Sequence, residues 1–385
     1  MAVDPLEAER AERVKAAEAD DQAPVDLDPL LQAIEYCYDK GWTDGLPIVP
    51  PTPAFIERFL AETDRDPDEI LASLSQFRRA ATVRQVAVAA AMAGCRPEYL
   101  PVALAAFEAV IDEGWPAAGA WQSTTGGGPM LIVNGPVREA LGFNSTGNVF
   151  GPGFRPNATI GRAMRLVIMN VFGIRPHELD QSTQGSPGKY ALCIAENEEE
   201  SPWEPLHVEL GCDPEESAVA ALHVRGVDFV DNRQSADPHQ ILNDIGDSIA
   251  RIGTLVRLRK RVGVVLGPEH AQLLAAKGLA KRDVKEYLVE SSFRRLDDLR
   301  RAGKGAEPAI PEQADHSVGS MHGWAAPTGA VEGDPGGDER FTVLQSPDDV
   351  LVVVAGARNA GVSAVAQPLG VLPHFPGRAV VRPTR

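Results

Sequence analysis

Four cysteines in 385 residues, Cys37, Cys95, Cys193 and Cys212, are too scattered for a zinc ribbon, and none forms a CxxC pair. Thiols spaced this way read as reduced and structural. The chain also lacks any uninterrupted apolar run of about 18 residues, the length that spans a bilayer. Residues 1–25 are charged and Ala-rich, without the apolar stretch of a secretory signal, so a cytoplasmic protein is expected. Positive charge is scarce: 37 Lys and Arg against 54 Asp and Glu leave a net charge of −17. Nucleic acid and anionic membranes both need a basic surface, so neither is an expected partner. The one basic run, Arg257-Leu258-Arg259-Lys260-Arg261, has no interleaved aromatics and reads as a solvated helix end. No HExxH, GxSxG, P-loop or GxGxxG pattern occurs, and no nucleotide cofactor is expected.

What is present is an ordinary globular composition, 44% apolar and 24% charged, on a chain long enough for a large core. Behind the 1–25 leader, residues 26–118 carry helical spacing, with helices expected at 53–63, 67–75, 82–93 and from Pro97 to Asp112. The prolines of GWTDGLPIVPPTP make that segment extended. Residues 119–302 alternate strand and helix, with strands expected at 130–134, 189–196, 220–230 and 262–266. A further strand is expected at 349–356, inside a 341–385 segment that completes the core. The 303–340 stretch, rich in Gly, Pro, Ala and Asp, reads as a loop or linker. The fold class that follows is α/β: a helical N-terminal region, then a mixed layered core. Continuous Val/Leu/Ile runs mark strands buried on both faces.

Four blocks, YDKGWTDGLPIVPPTP, AGCRPEYLPVALAAFEAV, LIVNGPVREALGFNSTGNVFGPGFRPNATIGRAMRL and DQSTQGSPGKYALCIAENEEESPWEPLHVE, cover roughly half the chain between Tyr38 and Glu209. Together they resemble an uncharacterised bacterial family loosely associated with UGSC-type cysteine or selenocysteine proteins. The TTGGGP segment, Thr124–Pro129, is richer in glycine than that family's pattern, and residues 300–385 match it less clearly.

Chemistry is best sought in ENEEESPWEPLHVE, Glu196–Glu209, directly after a buried strand. Carboxylates with an imidazole serve as ligands for zinc, manganese or iron, and equally as general acids and bases. Glu204 and His207, beside rigid prolines and Trp203, are the first catalytic candidates. Glu198, Glu200, Glu204 and His207 form the candidate metal set, with at most one or two of Glu198, Glu199 and Glu200 pointing inward. A solvated acidic loop explains the same residues about as well. The Gly-rich 144–162 loop offers Asn148, Arg155 and Arg162 for an anionic substrate near a helix N-terminus, and Lys189 in QSTQGSPGKY could add a hydrogen bond. Plain turn chemistry is the competing explanation for both. Cys95, beside Arg96 and just before a helix, has two features that lower a thiol pKa, against the simpler reading of a small buried residue.

The expectation is thus a small-molecule enzyme, a metal-dependent or acid–base hydrolase or lyase acting on a polar or anionic substrate. The alternative is an accessory subunit or thiol-redox partner of a small cysteine-containing protein, using Cys95. A homo-oligomer fits either.

Overall fold

The computed structural model describes residues 28–112, 120–253, 261–302, 331–332, 339–368 and 375–382. The 1–25 leader, most of the 303–340 segment, Arg257–Lys260, His316, His322 and His374 lie outside the described residues. The chain divides into two compact units, Met1–Pro50 and Pro51–Arg385. In the first, helix α1 (Asp28–Asp39) ends where Gly41 adopts φ +66° and its N–H returns to the Tyr38 carbonyl. Asp44 then closes its own turn by accepting the Leu46 N–H at 3.2 Å.

The second unit opens with α2 (Pro53–Leu60), which starts on proline and buries Ile56, Phe59 and Leu60. The helix expected at 67–75 is instead an antiparallel hairpin, β1 (Ile70–Leu74) and β2 (Arg79–Thr82). Its turn holds Arg78 at φ +51°. The spacing of Ile70, Leu71 and Leu74 mimics a helix, but cross-strand pairing wins over so short a run. Helix α3 (Val83–Ala93) begins with a reciprocal Thr82–Gln85 capping box and ends on Gly94 in the left-handed region. A 3-10 turn at Pro97–Tyr99 leads into α4 (Leu100–Asp112).

The core is one seven-stranded mixed sheet. Its members are β3 (Gly128–Asn134), β4 (Cys193–Ala195), β5 (Ala218–Asp231), β6 (Val262–Leu266), β10 (Val350–Val354), β11 (Val362–Pro368) and β12 (Gly377–Val380). Between β6 and β10 fall the short strands β7 (Phe293–Arg295), β8 (Val331–Glu332) and β9 (Arg340–Thr342), which form a separate small sheet. The main order is β10-β6-β11-β5-β3-β4, with β12 beside β5. β10 with β6 and β3 with β4 are parallel, and the remaining pairs are antiparallel. The architecture is therefore α/β, as the alternating elements predict. β11 and β12 escape the sequence reading, because VSAVAQP and GRAV are dominated by small or polar residues.

The sheet curls until its two edges meet: Asn197 N–H, after β4, donates to Val354 O in β10 at 2.7 Å, and Gly356 N–H donates to Ser145 O at 2.9 Å. Met130, Ile132, Ile194, Leu222, Val265, Val353 and Ala366 fill the inner face. Burial of each large apolar side chain contributes about 1.5–3 kcal/mol. Packing is tight at Gly263, where a Cβ would lie 3.0 Å from Leu222 Cδ1 and 3.3 Å from Ala366 Cβ.

Helices α5 (Val137–Ala140), α6 (Arg155–Asn170), α7 (Leu206–Glu209), α8 (Pro238–Ile249), α9 (Pro268–Ala276), α10 (Lys281–Ser291) and α11 (Leu296–Arg301) complete the unit. α8, α9 and α10 cover the outer face of β6 and β10 through Ile241, Ile245, Leu274, Val284 and Leu288. α4 lies over β5 and β12, and α3 packs on α6.

Candidate functional site

Because β3 and β4 are parallel neighbours, their C-terminal ends deliver Asn134 and Glu196 side by side. Asn134 Nδ2 donates to Glu196 Oε2 at 2.6 Å and to Glu198 Oε1 at 3.0 Å. Glu198 Oε1 also accepts the Gly135 N–H at 2.8 Å. Arg138, buried on the one-turn helix α5, donates to the Glu196 carbonyl at 2.8 Å and the Gly135 carbonyl at 3.1 Å. It also pairs with Glu198 at 3.0 Å and Glu199 at 2.9 Å. Its hydrogen bond holds the Glu199 carboxyl below the usual carboxylate range.

Glu196 is fully buried, and burial pushes its carboxyl up despite the Lys281 charge and hydrogen bonds from Leu206 N–H and Asn134. Among the described residues its Oε1 has no hydrogen-bond partner, whereas Oε2 accepts the Leu206 N–H at 2.8 Å. Through these two bonds the buried carboxyl ties the end of β3 to the start of α7.

The rest of the motif is fixed in the same way. Trp203 Nε1 donates to Leu279 O at 3.2 Å. Glu209 pairs with Lys281 at 2.7 Å and with Lys285. Glu200 Oε2 faces Arg358 Nε and accepts from Gln272 Nε2 at 3.1 Å. His207 is buried in α7, with Nδ1 4.0 Å from Glu198 Oε1 and Nε2 3.4 Å from Pro214 O, a contact it makes only as donor. The Glu204 side chain is exposed, and only its carbonyl is engaged, by Lys281 Nζ at 3.1 Å. Glu198, Glu200, Glu204 and His207 are therefore not gathered into one donor set. Among the described residues no group of three or more His, Cys, Asp or Glu could hold a metal ion.

Two cavities open beside this network. One, 460 Å³ and called the polar cavity for its charged side chains, is lined by Arg138, Glu139, Ser145, Thr146, Asn197, Glu199, Glu200 and Arg358, with Phe143, Pro268, Gly356 and Ala357. The other, 440 Å³ and called the apolar cavity for its rings and aliphatic side chains, is walled by Val149, Phe150, Phe229, Val265, Ala355 and Ala364, with Asn148, Asn359 and Ser363 also in its lining, and it too touches Gly356 and Ala357. The first lies where the segments after β4 and β10 meet Ser145 and Thr146, and the second lies between the 147–151 loop, Phe229 and the segment that joins β10 to β11. Convergence of polar groups from separate strand ends makes the 460 Å³ concavity the candidate site.

Asn148 lines the apolar cavity but at φ +61° serves its own turn, donating to Pro152 O at 2.9 Å. Arg155 donates to Gly94 O at 2.9 Å, and Arg162 lies half-buried further along α6. Neither lines either cavity. Lys189 is held by Asp180 at 2.7 Å, an acid that Arg165 pairs from the other side at 2.9 Å. Cys95 is buried, and burial raises its thiol to about 12, outweighing a Thr159 hydrogen bond and the Arg155 charge. The lowering expected from Arg96 and the following helix does not prevail.

Sequence reasoning passed over a buried Ser363–His270 pair. His270 Nε2 lies 3.0 Å from the Asn232 carbonyl, so Nδ1 accepts from Ser363 Oγ at 2.7 Å. Ser363 shares its strand face with Val365, which packs under the helices, and its Oγ accepts the Gly267 N–H at 3.2 Å ahead of α9. The pair braces that helix start. Sequence reasoning also missed Arg138, Asn197 and Arg358. The signal available for Arg358 was AGARNAG, a charged residue between glycines directly after a buried strand. No family model, curated protein or solved structure matches the chain.

Proposed function

We propose that this protein is an enzyme that binds a small polar or anionic molecule in the 460 Å³ cavity and acts on it by acid–base chemistry, as a hydrolase or lyase. The observation that carries this reading is the convergence of Arg138, Arg358, Asn197, Thr146, Glu199 and Glu200 on one concavity. Arg138 is locked by two carbonyls and by Glu198 and Glu199, and so fixes the Glu199 carboxylate at the cavity wall. Arg358 is 55% exposed and paired with Glu200, so it is the cation free to turn onto an incoming anion. Glu199, kept ionised by Arg138, is a proton acceptor in this scheme. The buried Glu196 and His207, with half-buried Glu198, hold the loop beneath.

Zinc, manganese or iron chemistry would need Glu198, Glu200, Glu204 and His207 to regroup, and elemental analysis of the purified protein tests that version. Thiol exchange through Cys95 with a small partner protein would need the buried thiol to open to solvent. A cytoplasmic setting, without nucleic-acid or membrane partners, accords with the net charge of −17 and with four free cysteines. No described helix is long and apolar enough to cross a membrane.

The test is thermal-shift titration with lactate and inorganic phosphate against wild type and Arg358→Ala. Saturable stabilisation that the variant loses supports the reading. An unchanged response in the variant, or none in wild type, overturns it.

A further inference from the structure

The two cavities share a rim. The apolar cavity begins at Gly356 and Ala357, which line both, and the 145–151 loop passes from one to the other. At that junction the side chains are minimal: a Cβ built on Gly147 would lie 3.5 Å from the Ala357 Cβ, in ordinary contact. Beyond it stand two rings, Phe150 and Phe229, edge to face with centroids 6.0 Å apart. Phe229 is 68% exposed, an unusual state for a phenylalanine on a strand. A 440 Å³ space is larger than a phenyl group needs, and Val149, Phe150, Phe229, Val265 and Ala364 offer such a group apolar contact.

We propose that the substrate is a bipartite small acid, with its polar end against Arg358 and Arg138 and an aromatic or branched apolar substituent between Phe150, Phe229 and Ala364. This rests on the polar cavity being the anion site and adds the substrate class to it. The apolar chamber gives selectivity by size and hydrophobicity, and the arginines give orientation. An acid without the substituent fills half the site, and an apolar molecule without the acid leaves Arg358 on Glu200.

Calorimetric titration with lactate and with 3-phenyllactate, which share one polar end and differ by a phenyl group, tests the proposal. 3-Phenyllactate is expected to bind about tenfold to a hundredfold tighter than lactate. Phe229→Ala, a change at an exposed position that the fold tolerates, should erase much of that gain and leave lactate unchanged. Gly147→Val, which narrows the junction at an ordinary backbone conformation, should weaken 3-phenyllactate selectively. Arg358→Ala should weaken both ligands. Equal affinity for the two acids, with both still sensitive to Arg358→Ala, overturns the bipartite proposal and leaves the anion site standing. Binding of neither acid overturns both.

Discussion

At the scale of single residues, two buried carboxyls carry opposite pH signatures. Asp180 is pushed up by burial, but its hydrogen bonds to Lys189 and Ser182, with the Lys189 and Arg165 charges, hold it at about 2. A folded-state value below the unfolded one stabilises above the ordinary carboxylate range, and that contribution is lost as pH falls through about 2. Asp180→Asn should therefore cost about 3 kcal/mol in urea unfolding at pH 7, with a smaller difference at pH 3, because it leaves buried Arg165 and half-buried Lys189 short of a partner. Glu196 is the reverse case. Burial raises its value in the folded state, so its contribution is full below the ordinary carboxylate range and declines as pH rises above it. Glu196→Gln should remove part of that decline, whereas Glu196→Ala should cost about 3 kcal/mol below the ordinary carboxylate range, and less above it, by leaving the Leu206 N–H without its acceptor and Asn134 with Glu198 alone. Equal pH slopes for wild type and the glutamine variant would contradict the account. For the thiols, Ellman's reagent should modify half-buried Cys212 first, and reach Cys37, Cys95 and Cys193 only on unfolding.

At the scale of elements, the acidic loop is an anchored frame, with Arg138 as its principal tie. Arg138→Ala removes bonds to two carbonyls and two carboxylates at once, and should cost about 3–5 kcal/mol by chemical denaturation. A loss under 1 kcal/mol would mean that the loop is held by Trp203 and the Glu209 pairs instead. Much of this frame is written in the sequence: the strand before the loop, its Pro/Trp stiffness and its carboxylates all declare themselves locally. Long periodic elements are equally legible, since VGVVL and GPMLIVN form strands buried along their whole length. What was not legible depends on distant partners. The 70–82 hairpin imitates helical spacing, and β11 is an Ala- and Ser-containing strand that only its neighbours define. Arg138 and Arg358 are 220 residues apart in sequence and meet at one cavity only because the sheet curls its edges together. Glu204 and His207 looked like a pair in the one-dimensional text, but a short helix start turns one outward and buries the other.

At the scale of the whole molecule, a strongly acidic chain gathers two of its arginines at the mouth created by the curl of one sheet, beside an apolar chamber. Surface acidity repels anions at long range, so recognition falls to these local, partly desolvated cations. Raising ionic strength from low to about 0.15 M should therefore weaken anion binding only modestly, since the arginines act at contact distance. A steep fall measured by titration would point to diffuse surface charge instead. The most direct test of the account is a crystal structure of the protein soaked with 3-phenyllactate. It should place the carboxylate within hydrogen-bonding distance of Arg358 and the ring beside Phe150 and Phe229. A carboxylate bound instead at Lys189 or Arg155, with the two cavities empty, would contradict it.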